Sequence, residues 1–479
     1  MTEPTADPTP PTAPAESIAS AGLATPSPST AARPARRSPT ELSFRLDPSY
    51  VERLAAAEPD WLAADRLAAL ELARTAPLEP NPLFTPYLDL RTAELEGVRP
   101  YDEVLEGPGA GTAAELEEGV SAVLEIREDR IARLGIGPDA AAAGLEIVTL
   151  GDLARADEGA ARRLIETSIL PADDRLAQIT RAAWNEALVL RLRDGARLER
   201  PILLRWAVGA PGRAVLVRVF VELGAGAAAS VVEELVPSSR VGAGAGQALL
   251  ATTTEVVLGA GASLAWASIG ELGPNVVAFQ HRTDVLGEGA DLHWALGQLG
   301  GRLVRSRIDN RLVGDRSSLE QVEIVFGTGD QLFDLTTYTR HVGRDTTGDV
   351  LAKAALKDRA RSFMKGLATI ERSAVGTDSF LGEFGMNLSK TARSVAIPSL
   401  EIDQPDCRRA AHSSSVGPID EAQVFYLMSR GVPEDEARKF IVLGFLEPVV
   451  ARVPLPEAQE RLRALIEAKW AAGATAAAA

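Results

Sequence analysis

Leu223-Gly224-Ala225-Gly226-Ala227, Leu258-Gly259-Ala260-Gly261-Ala262 and Leu286-Gly287-Glu288-Gly289-Ala290 are three copies of one short pattern. In each, an apolar residue is followed four positions later by a small one, with glycine just before it. Looser copies stand at Leu192…Ala196, Val313…Ser317, Leu356…Ala360, Ile370…Ala374 and Leu388…Ala392. Nearby stretches such as Ala187-Leu188-Val189-Leu190-Arg191-Leu192, Ile202-Leu203-Leu204-Arg205-Trp206 and Val215-Leu216-Val217-Arg218-Val219-Phe220-Val221 are short, β-branched and partly alternating, which marks strands. A glycine that permits a tight turn, then a small inward residue before the next strand, is what stacked strand coils require. We therefore read a parallel β-helix, or a similar β-solenoid in which each coil hydrogen-bonds only to its neighbours. The steps between copies run from 14 to 43 residues, so the register is loose. An antiparallel sandwich with Gly-rich hairpin turns is the competing reading.

Helical periodicity flanks this region. From about 48 to 74, Trp61, Leu62, Leu67, Leu70 and Leu72 recur at helical spacing among alanines, with Asp47 placed to cap. Pro77, Pro80, Pro82 and Pro86 break that pattern into an extended loop. Alanines and acids around 113–124 and 152–167 suggest two more helices, and Gly107-Pro108-Gly109-Ala110-Gly111 interrupts. After Gly417, Asp420 reads as an N-cap, Val424, Phe425, Leu427 and Met428 as a buried helix face, and Gly431 as the stop. Pro433 opens the next helix over the acidic turn Glu434-Asp435-Glu436, and Ile441, Val442, Phe445 and Leu446 give its apolar face. Pro454 and Pro456 precede a last helix reaching about Trp470. The expected organisation is a disordered Pro/Ala/Thr-rich tail over 1–44, a mainly helical domain over 45–180, the β-helix core over 181–415, a helical domain over 416–470 and a frayed tail over 471–479.

The chain has 479 residues, 50 of them basic and 66 acidic, for a net charge of −16. Such an acidic chain is a poor candidate for binding nucleic acid or an anionic membrane. No run approaches the roughly 18 consecutive apolar residues of a transmembrane helix, and the N-terminus has no apolar signal core, so a cytoplasmic location is expected. There is one cysteine, Cys407, and there are four histidines, His281, His293, His341 and His412. One thiol rules out internal disulfides, zinc sites built on several thiolates, and an iron–sulfur cluster held by this chain's own cysteines alone. No lysine follows a glycine, so no P-loop exists. Gly242-Ala243-Gly244-Ala245-Gly246 lies between strands, without the helix of a dinucleotide site. Neither His-Glu-x-x-His nor Gly-x-Ser-x-Gly occurs. Any metal chemistry must be shared with another chain.

Residues 340–450 are the most specific stretch. Arg340-His341-Val342-Gly343-Arg344-Asp345-Thr346 precedes Leu356-Lys357-Asp358, Ser362-Phe363-Met364-Lys365-Gly366, Thr377-Asp378-Ser379 and Asn387-Leu388-Ser389. Then come Pro398-Ser399-Leu400-Glu401-Ile402, His412-Ser413-Ser414-Ser415-Val416-Gly417, Phe425-Tyr426-Leu427-Met428-Ser429-Arg430-Gly431-Val432 and Glu436-Ala437-Arg438. In this order and spacing the set resembles the SufB/SufD family of iron–sulfur cluster assembly proteins. Glu58-Pro59-Asp60-Trp61-Leu62, Arg66-Leu67-Ala68-Ala69-Leu70-Glu71, Glu199-Arg200-Pro201-Ile202 and Val232-Glu233-Glu234 extend the resemblance upstream. Within the family the chain is more similar to the SufD-like branch. SufB-like members carry Glu-His-Glu where this chain has Ala411-His412-Ser413, and they tend to carry several cysteines.

The resemblance implies a right-handed parallel β-helix between N-terminal and C-terminal helical domains, serving as a non-catalytic scaffold. It implies pairing with a SufB-like subunit through the β-helix and docking of a SufC-like ABC ATPase on the C-terminal helices, with ATP hydrolysis in that partner. No cofactor would be held by this chain alone; a transient iron–sulfur cluster would be shared with SufB. By resemblance His412 is the first candidate metal ligand, and a neutral imidazole nitrogen is a competent iron ligand. A hydrogen-bonded structural histidine is the alternative. Cys407 is the second candidate. Some SufD-like members place a cysteine two residues before this histidine, where Ala410 stands here, and Arg408 and Arg409 beside the thiol would favour thiolate. An incidental loop cysteine is the alternative. His341, Arg344 and Asp345 are expected to cap turns or pair between coils, and Phe425, Tyr426 and Met428 to lie in the core of the C-terminal helices. Two other functions stay open: a self-sufficient SufB-like scaffold acting as a homodimer, and a β-helix enzyme acting on carbohydrate.

Overall fold

The computed structural model describes residues 38–101, 116–239 and 246–477. The expected tail lies mostly outside these residues, but Ser43 and Phe44 at its end are buried, so packing starts before residue 45. Asp47 caps α1 (Pro48–Ala56) by accepting the Ser49 N–H. Pro59 has no N–H to continue that helix, and α2 (Asp60–Thr75) starts afresh, so the periodic stretch at 48–74 is two helices. There follow β1 (Arg99–Pro100), β2 (Ala122–Arg127), β3 (Arg130–Ile136), α3 (Pro138–Ala142), β4 (Leu145–Thr149), α4 (Leu150–Ala156), α5 (Glu158–Glu166) and α6 (Arg175–Ala183).

This N-terminal region is more mixed than the mainly helical domain expected over 45–180. The helix expected at 113–124 is not formed by its described residues: Ala122–Arg127 is a strand, because pairing with a neighbouring strand outweighs the helical preference of alanine and glutamate. The Gly-rich stretches at 107–111 and 242–245 lie outside the described residues.

From residue 186 the chain winds through eight coils of two strands each. The coils are β5 (Glu186–Leu192) with β6 (Ile202–Val208), β7 (Arg213–Leu223) with β8 (Ala228–Pro237), β9 (Ala248–Leu258) with β10 (Ser263–Gly270), and β11 (Val276–Leu286) with β12 (Asp291–Gln298). They continue as β13 (Leu303–Leu312) with β14 (Ser318–Gly327), β15 (Leu332–His341) with β16 (Thr347–Leu356), β17 (Arg361–Ile370) with β18 (Asp378–Asn387), and β19 (Arg393–Ile402) with β20 (Arg409–Pro418). Odd-numbered strands stack in parallel in one sheet and even-numbered strands in a second, as the β-solenoid reading requires and the sandwich alternative does not. At the first coil, β4 lies antiparallel to β5, and β2 carries the antiparallel β3 on its outer edge.

Every copy of the Leu-Gly pattern falls at a coil corner. At one corner Leu192, Leu223, Leu258 and Leu286 each accept a hydrogen bond from the next coil, given by Gly224, Gly259, Gly287 and Gly314 N–H at 2.8–2.9 Å. Leu356…Ala360 and Leu388…Ala392 mark the opposite corner. The irregular spacing is thus explained, because successive copies are separated by whole or half coils. The two glycines of a turn have different causes. A Cβ on Gly287 would stand 2.8 Å from Leu258 O, and one on Gly314 2.1 Å from Glu288 N, so the first glycine answers the close approach of the coil below. The second, as in Gly226, Gly261 and Gly289, sits at φ between +62° and +68°. Arg316 and Asp345 take the same backbone position in two coils, and the small residue that follows it, Ala227, Ala262, Ala290, Ser317, Thr346 or Thr377, is fully buried.

Trp206, Trp266 and Trp294 fill the solenoid interior, and their indole N–H groups need acceptors there. Glu233 accepts from Trp206 at 2.9 Å and Trp266 at 3.3 Å, and Arg282 neutralises it at 2.7 Å. Burial would raise the Glu233 pKa; the Arg282 charge and these hydrogen bonds overcome that and lower it.

Both outer faces are covered. Over the odd-numbered sheet, Tyr50, Val51, Leu70, Leu90, Leu95 and Ile179 pack on Leu216, Leu249, Val277, Phe279, Leu303 and Leu332. Buried ion pairs pin this layer. Arg218 bridges Asp65 (3.1 Å) and Glu255 (2.8 Å), Arg305 bridges Asp334 (2.7 Å) and Glu79 (3.1 Å), and His281 stands between Asp174 (2.9 Å) and Asp309 (2.8 Å). Over the even-numbered sheet lie the C-terminal helices, α7 (Glu421–Ser429), α8 (Glu434–Val450) and α9 (Pro456–Ala477). Val442, Leu446, Val449, Leu462, Ile466 and Trp470 pack there on Ala267, Ala295, Val322, Ile324 and Phe326.

Candidate functional site

The last coil differs from every other. β19 and β20 end their sheets, and no described strand lies beyond them. In β20 the residues from His412 to Val416 are all exposed, and Ile402 and Val416 are apolar side chains at 47% and 39% exposure. Pro398 lacks a ladder donor and stands in β19, where only an edge strand tolerates it.

His412 pairs in register with Leu381 of β18, and Ser414 with the buried Glu383. Strand alternation therefore puts His412 in the row that holds Trp266, Trp294 and Gln321 in earlier coils, except that no described residue covers it. Among the described residues no hydrogen bond or ion pair engages its imidazole. Ser414, beside it, lies next to a carboxyl whose pKa burial pushes up to about 8.

Cys407 is a half-buried free thiol in the turn before β20. That turn is stacked on the preceding coil by Asp403 N–H to Ile370 O (2.9 Å), Gly376 N–H to Asp406 O (2.7 Å) and Arg408 N–H to Thr377 O (2.8 Å). Its arginines are engaged, Arg408 with Asp345 and Arg409 with Asp378. Cys407 thus stands at the corner and His412 three residues into the strand, about 10 Å along from its start. The described residues contain no group of three or more His, Cys, Asp or Glu arranged to hold a metal ion.

His341 occupies the corner row where other coils place leucine or isoleucine. Its ring nitrogens bond Thr346 Oγ1 (2.9 Å) and Ser379 Oγ (3.2 Å), and burial drops its pKa to about 4, so it is neutral. Arg344 N–H donates to Asp315 at 2.8 Å, and Asp345 takes the left-handed turn position at φ +54°. These three residues knit turns together.

The C-terminal helices correct one expectation. Phe425, Tyr426 and Met428 are not core residues; they are 72%, 56% and 43% exposed, and Phe440 of α8 is 54% exposed. The hairpin of α7 and early α8 buries Ile419, Val424 and Ala437, with Met386, Leu388, Leu427, Val432 and Ile441 packed around them, and this cluster leaves the other four apolar side chains outside. The sequence pattern marks α7 as apolar but not which side is buried. Phe440, Ile402 and Val416 escape a sequence reading because a single apolar residue carries no periodic signal.

A carbohydrate enzyme would need carboxylates free to act in an open groove. A cavity of about 500 Å³ beside the odd-numbered sheet is lined by Asp173, Asp309, Arg307 and Glu401; Arg307 holds the two aspartates at 2.8–3.0 Å, and Glu401 accepts from Thr369 at 3.3 Å. No helix among the described residues is long and apolar enough to cross a membrane.

Residues 207–445 match the family model described as "SUF system FeS cluster assembly, SufBD core domain". The chain is 26% identical over 424 residues to the iron–sulfur cluster assembly protein SufD of Bacillus subtilis, covering 86% of this chain and 94% of that one. It is 28% identical over 301 residues to a SufBD family protein of Mycobacterium tuberculosis, covering 61% and 74%. A SufBD family protein of Mycobacterium bovis is 33% identical over 189 residues, 38% of this chain and 48% of that one.

Proposed function

Because the chain belongs to the SufB/SufD family of the SUF iron–sulfur cluster assembly system and is SufD-like within it, we propose that it is a scaffold subunit without turnover of its own, working with a SufB-like subunit and a SufC-like ATPase. The observation that carries this reading is the bare last coil. Two ten-residue strands offer unpaired backbone edges there, a liability that proteins retain where a partner completes the sheet. At the opposite end the sheets stop at the shorter antiparallel strands β4 and β3, so the longer open edges of β19 and β20 favour that end for pairing with the SufB-like subunit.

His412, unengaged in the inner row of that coil, is placed to give one nitrogen to iron or to a nascent cluster, which is cargo here. The partner supplies the remaining ligands, as a chain with one thiol requires. Cys407, at the adjoining corner, is the second proposed donor. Phe425, Tyr426, Met428 and Phe440 form the seat for the ATPase, since aromatic and methionine side chains are the usual anchors of protein interfaces.

Co-purification tests the reading. Val416→Arg with Ile402→Asp should abolish capture of the SufB-like subunit and leave the ATPase bound. Phe425→Ser with Phe440→Ser should do the reverse, each by roughly 30-fold or more if these are hot spots worth about 2 kcal/mol. His412→Ala should preserve both associations and lower cluster transfer from the full complex to an apo acceptor; Cys407→Ser is measured beside it. If the unaltered chain captures neither partner, the reading fails. If the chain alone forms a homodimer that keeps a cluster after anaerobic reconstitution, the homodimer alternative replaces it.

A further inference from the structure

The cavity of about 500 Å³ lies on the outer face of β13, β15 and β17, apart from His412 and Cys407. Two loops of the N-terminal layer wall it, residues 80–82 and 169–173. Pro80, Pro82 and Pro171 stand in those walls, and their fixed φ stiffens the loops around the space. Its volume falls in the range of small-molecule sites.

Charge within it is unevenly matched. Asp173 and Asp309 are taken by Arg307, and Asp309 also meets His281 at 2.8 Å. Arg311 and Arg340 are a different case. They stand in register on the neighbouring parallel strands β13 and β15, so their Cα atoms are about 5 Å apart on one face. Like charges set side by side in a sheet repel. Arg340 touches Glu371 at 3.1 Å, an exposed pair worth little in water. The Arg311 side chain has no hydrogen bond or ion pair among the described residues. Arg307 Nη1 is also without a hydrogen-bond partner, 4.0 Å from Asp174. Along the row of Arg311 and Arg340, one side continues with Val285 and the other with Thr369 and then Glu401. Glu401 is thus two strands, roughly 10 Å, beyond Arg340.

We propose that this cavity binds a small phosphate monoester, its phosphate across Arg311 and Arg340 and its organic body against Leu367, Ile169 and the prolines. A guanidinium pairs two phosphate oxygens at once, and a dianion offsets both charges where a carboxylate offsets one. The net charge of −16 repels a polyanion from the chain as a whole, whereas a small ligand meets the local pair. The site lies within one chain and does not rest on the scaffold reading.

Calorimetric titration of phenyl phosphate into the full chain tests this. One saturable site with a Kd below about 1 mM is expected, with inorganic phosphate, benzoate and benzyl alcohol each roughly tenfold weaker or more. Arg311→Gln and Arg340→Gln should each weaken phenyl phosphate by about tenfold or more, as loss of a charge-assisted hydrogen bond implies. Glu401→Gln should tighten it by about two- to threefold, because a carboxylate near the phosphate is neutralised. Both arginines are exposed, so these variants should fold, and Arg311→Gln should hold or raise the urea midpoint by relieving the repulsion. Arg359→Gln, at the other corner of the coil, is the control and should change nothing. Absence of saturable binding, binding that survives both arginine substitutions, or inorganic phosphate or benzoate binding as tightly as phenyl phosphate would overturn the proposal. If no phenyl phosphate binds while Arg311→Gln lowers capture of another chain, the pair belongs to a protein contact and the proposal fails.

Discussion

Alanine at three corner glycines should separate two physical requirements that the sequence pattern merges. Gly289 sits at φ +62° with nothing within 4 Å of the place a methyl group would take, so Gly289→Ala suffers only the left-handed backbone, a cost of about 1–2 kcal/mol, partly offset by a stiffer unfolded chain. Gly287 is outside the left-handed region, but its methyl would meet Leu258 O at 2.8 Å and Gly259 C at 3.0 Å. The coils must part by roughly half an ångström there, straining the 2.9 Å bond from Gly287 N–H to Leu258 O, at about 1–3 kcal/mol. At Gly314 the methyl would stand 2.1 Å from Glu288 N and Gly287 C, so the parting exceeds an ångström and local coil bonds break. The expected order of damage is Gly314→Ala, then Gly287→Ala, then Gly289→Ala. Gly289→Asn should be close to neutral, since Arg316 and Asp345 already hold the equivalent position at φ +58° and +54°. Hydrogen exchange of β12 and β14 amides reports each local opening, which a solenoid resolves better than one global midpoint. If Gly289→Ala proves the most damaging, or Gly314→Ala leaves exchange unchanged, the account of the corners is wrong.

Glu383→Gln should flatten part of the pH dependence of stability. Burial raises the Glu383 pKa from 4.5 to about 8, so the folded chain keeps a proton that the unfolded chain releases. Stability should fall by up to about 1.4 kcal/mol per pH unit between those values, and glutamine, which can still accept the 2.7 Å bond from Ile397 N–H, should remove that share of the slope in urea titrations from pH 5 to 8. Arg218→Met should cost about 3–5 kcal/mol in urea unfolding by leaving Glu255 buried without its cation, while Asp65 keeps Arg181 at 3.0 Å. Adding Glu255→Gln should recover most of it; no recovery would mean that Arg218 acts through packing alone.

The solenoid is legible in the sequence because its corners are local. Leu258-Gly259-Ala260-Gly261-Ala262 states an approach and a backbone angle within five residues, and both appear in the structure. The N-terminal layer reads less well, because its fate depends on pairing partners: Ala122 becomes strand between Ile136 of β3 and Ile202 of β6. Asp65, Glu79 and Asp174 carry no mark of burial in the sequence, because their partners Arg218, Arg305 and His281 arrive from strands over 100 residues later. At the open end, His412 is legible through its motif, whereas its exposure follows from no described strand lying above β20, which no residue near His412 encodes. The aromatic face of α7 misleads for the same reason: apolar spacing marks an apolar face but not whether another part of the chain covers it.

Alternation between the two sheets makes the coil an indivisible unit of length. From Leu258 to Ile370 a coil takes 26 to 29 residues, and each begins in one sheet and ends in the other. Removing one whole coil would shorten the body and leave every later strand facing the same neighbours. Removing one strand would exchange the faces of all that follow, setting the ion-pairing row of Arg305, Arg307 and Asp309 against the apolar helices and the floor of those helices against the charged N-terminal layer. Insertions and deletions in such a chain are therefore confined to corners or to whole coils, and the spacing between its open end and its N-terminal layer can change only in steps of about 5 Å.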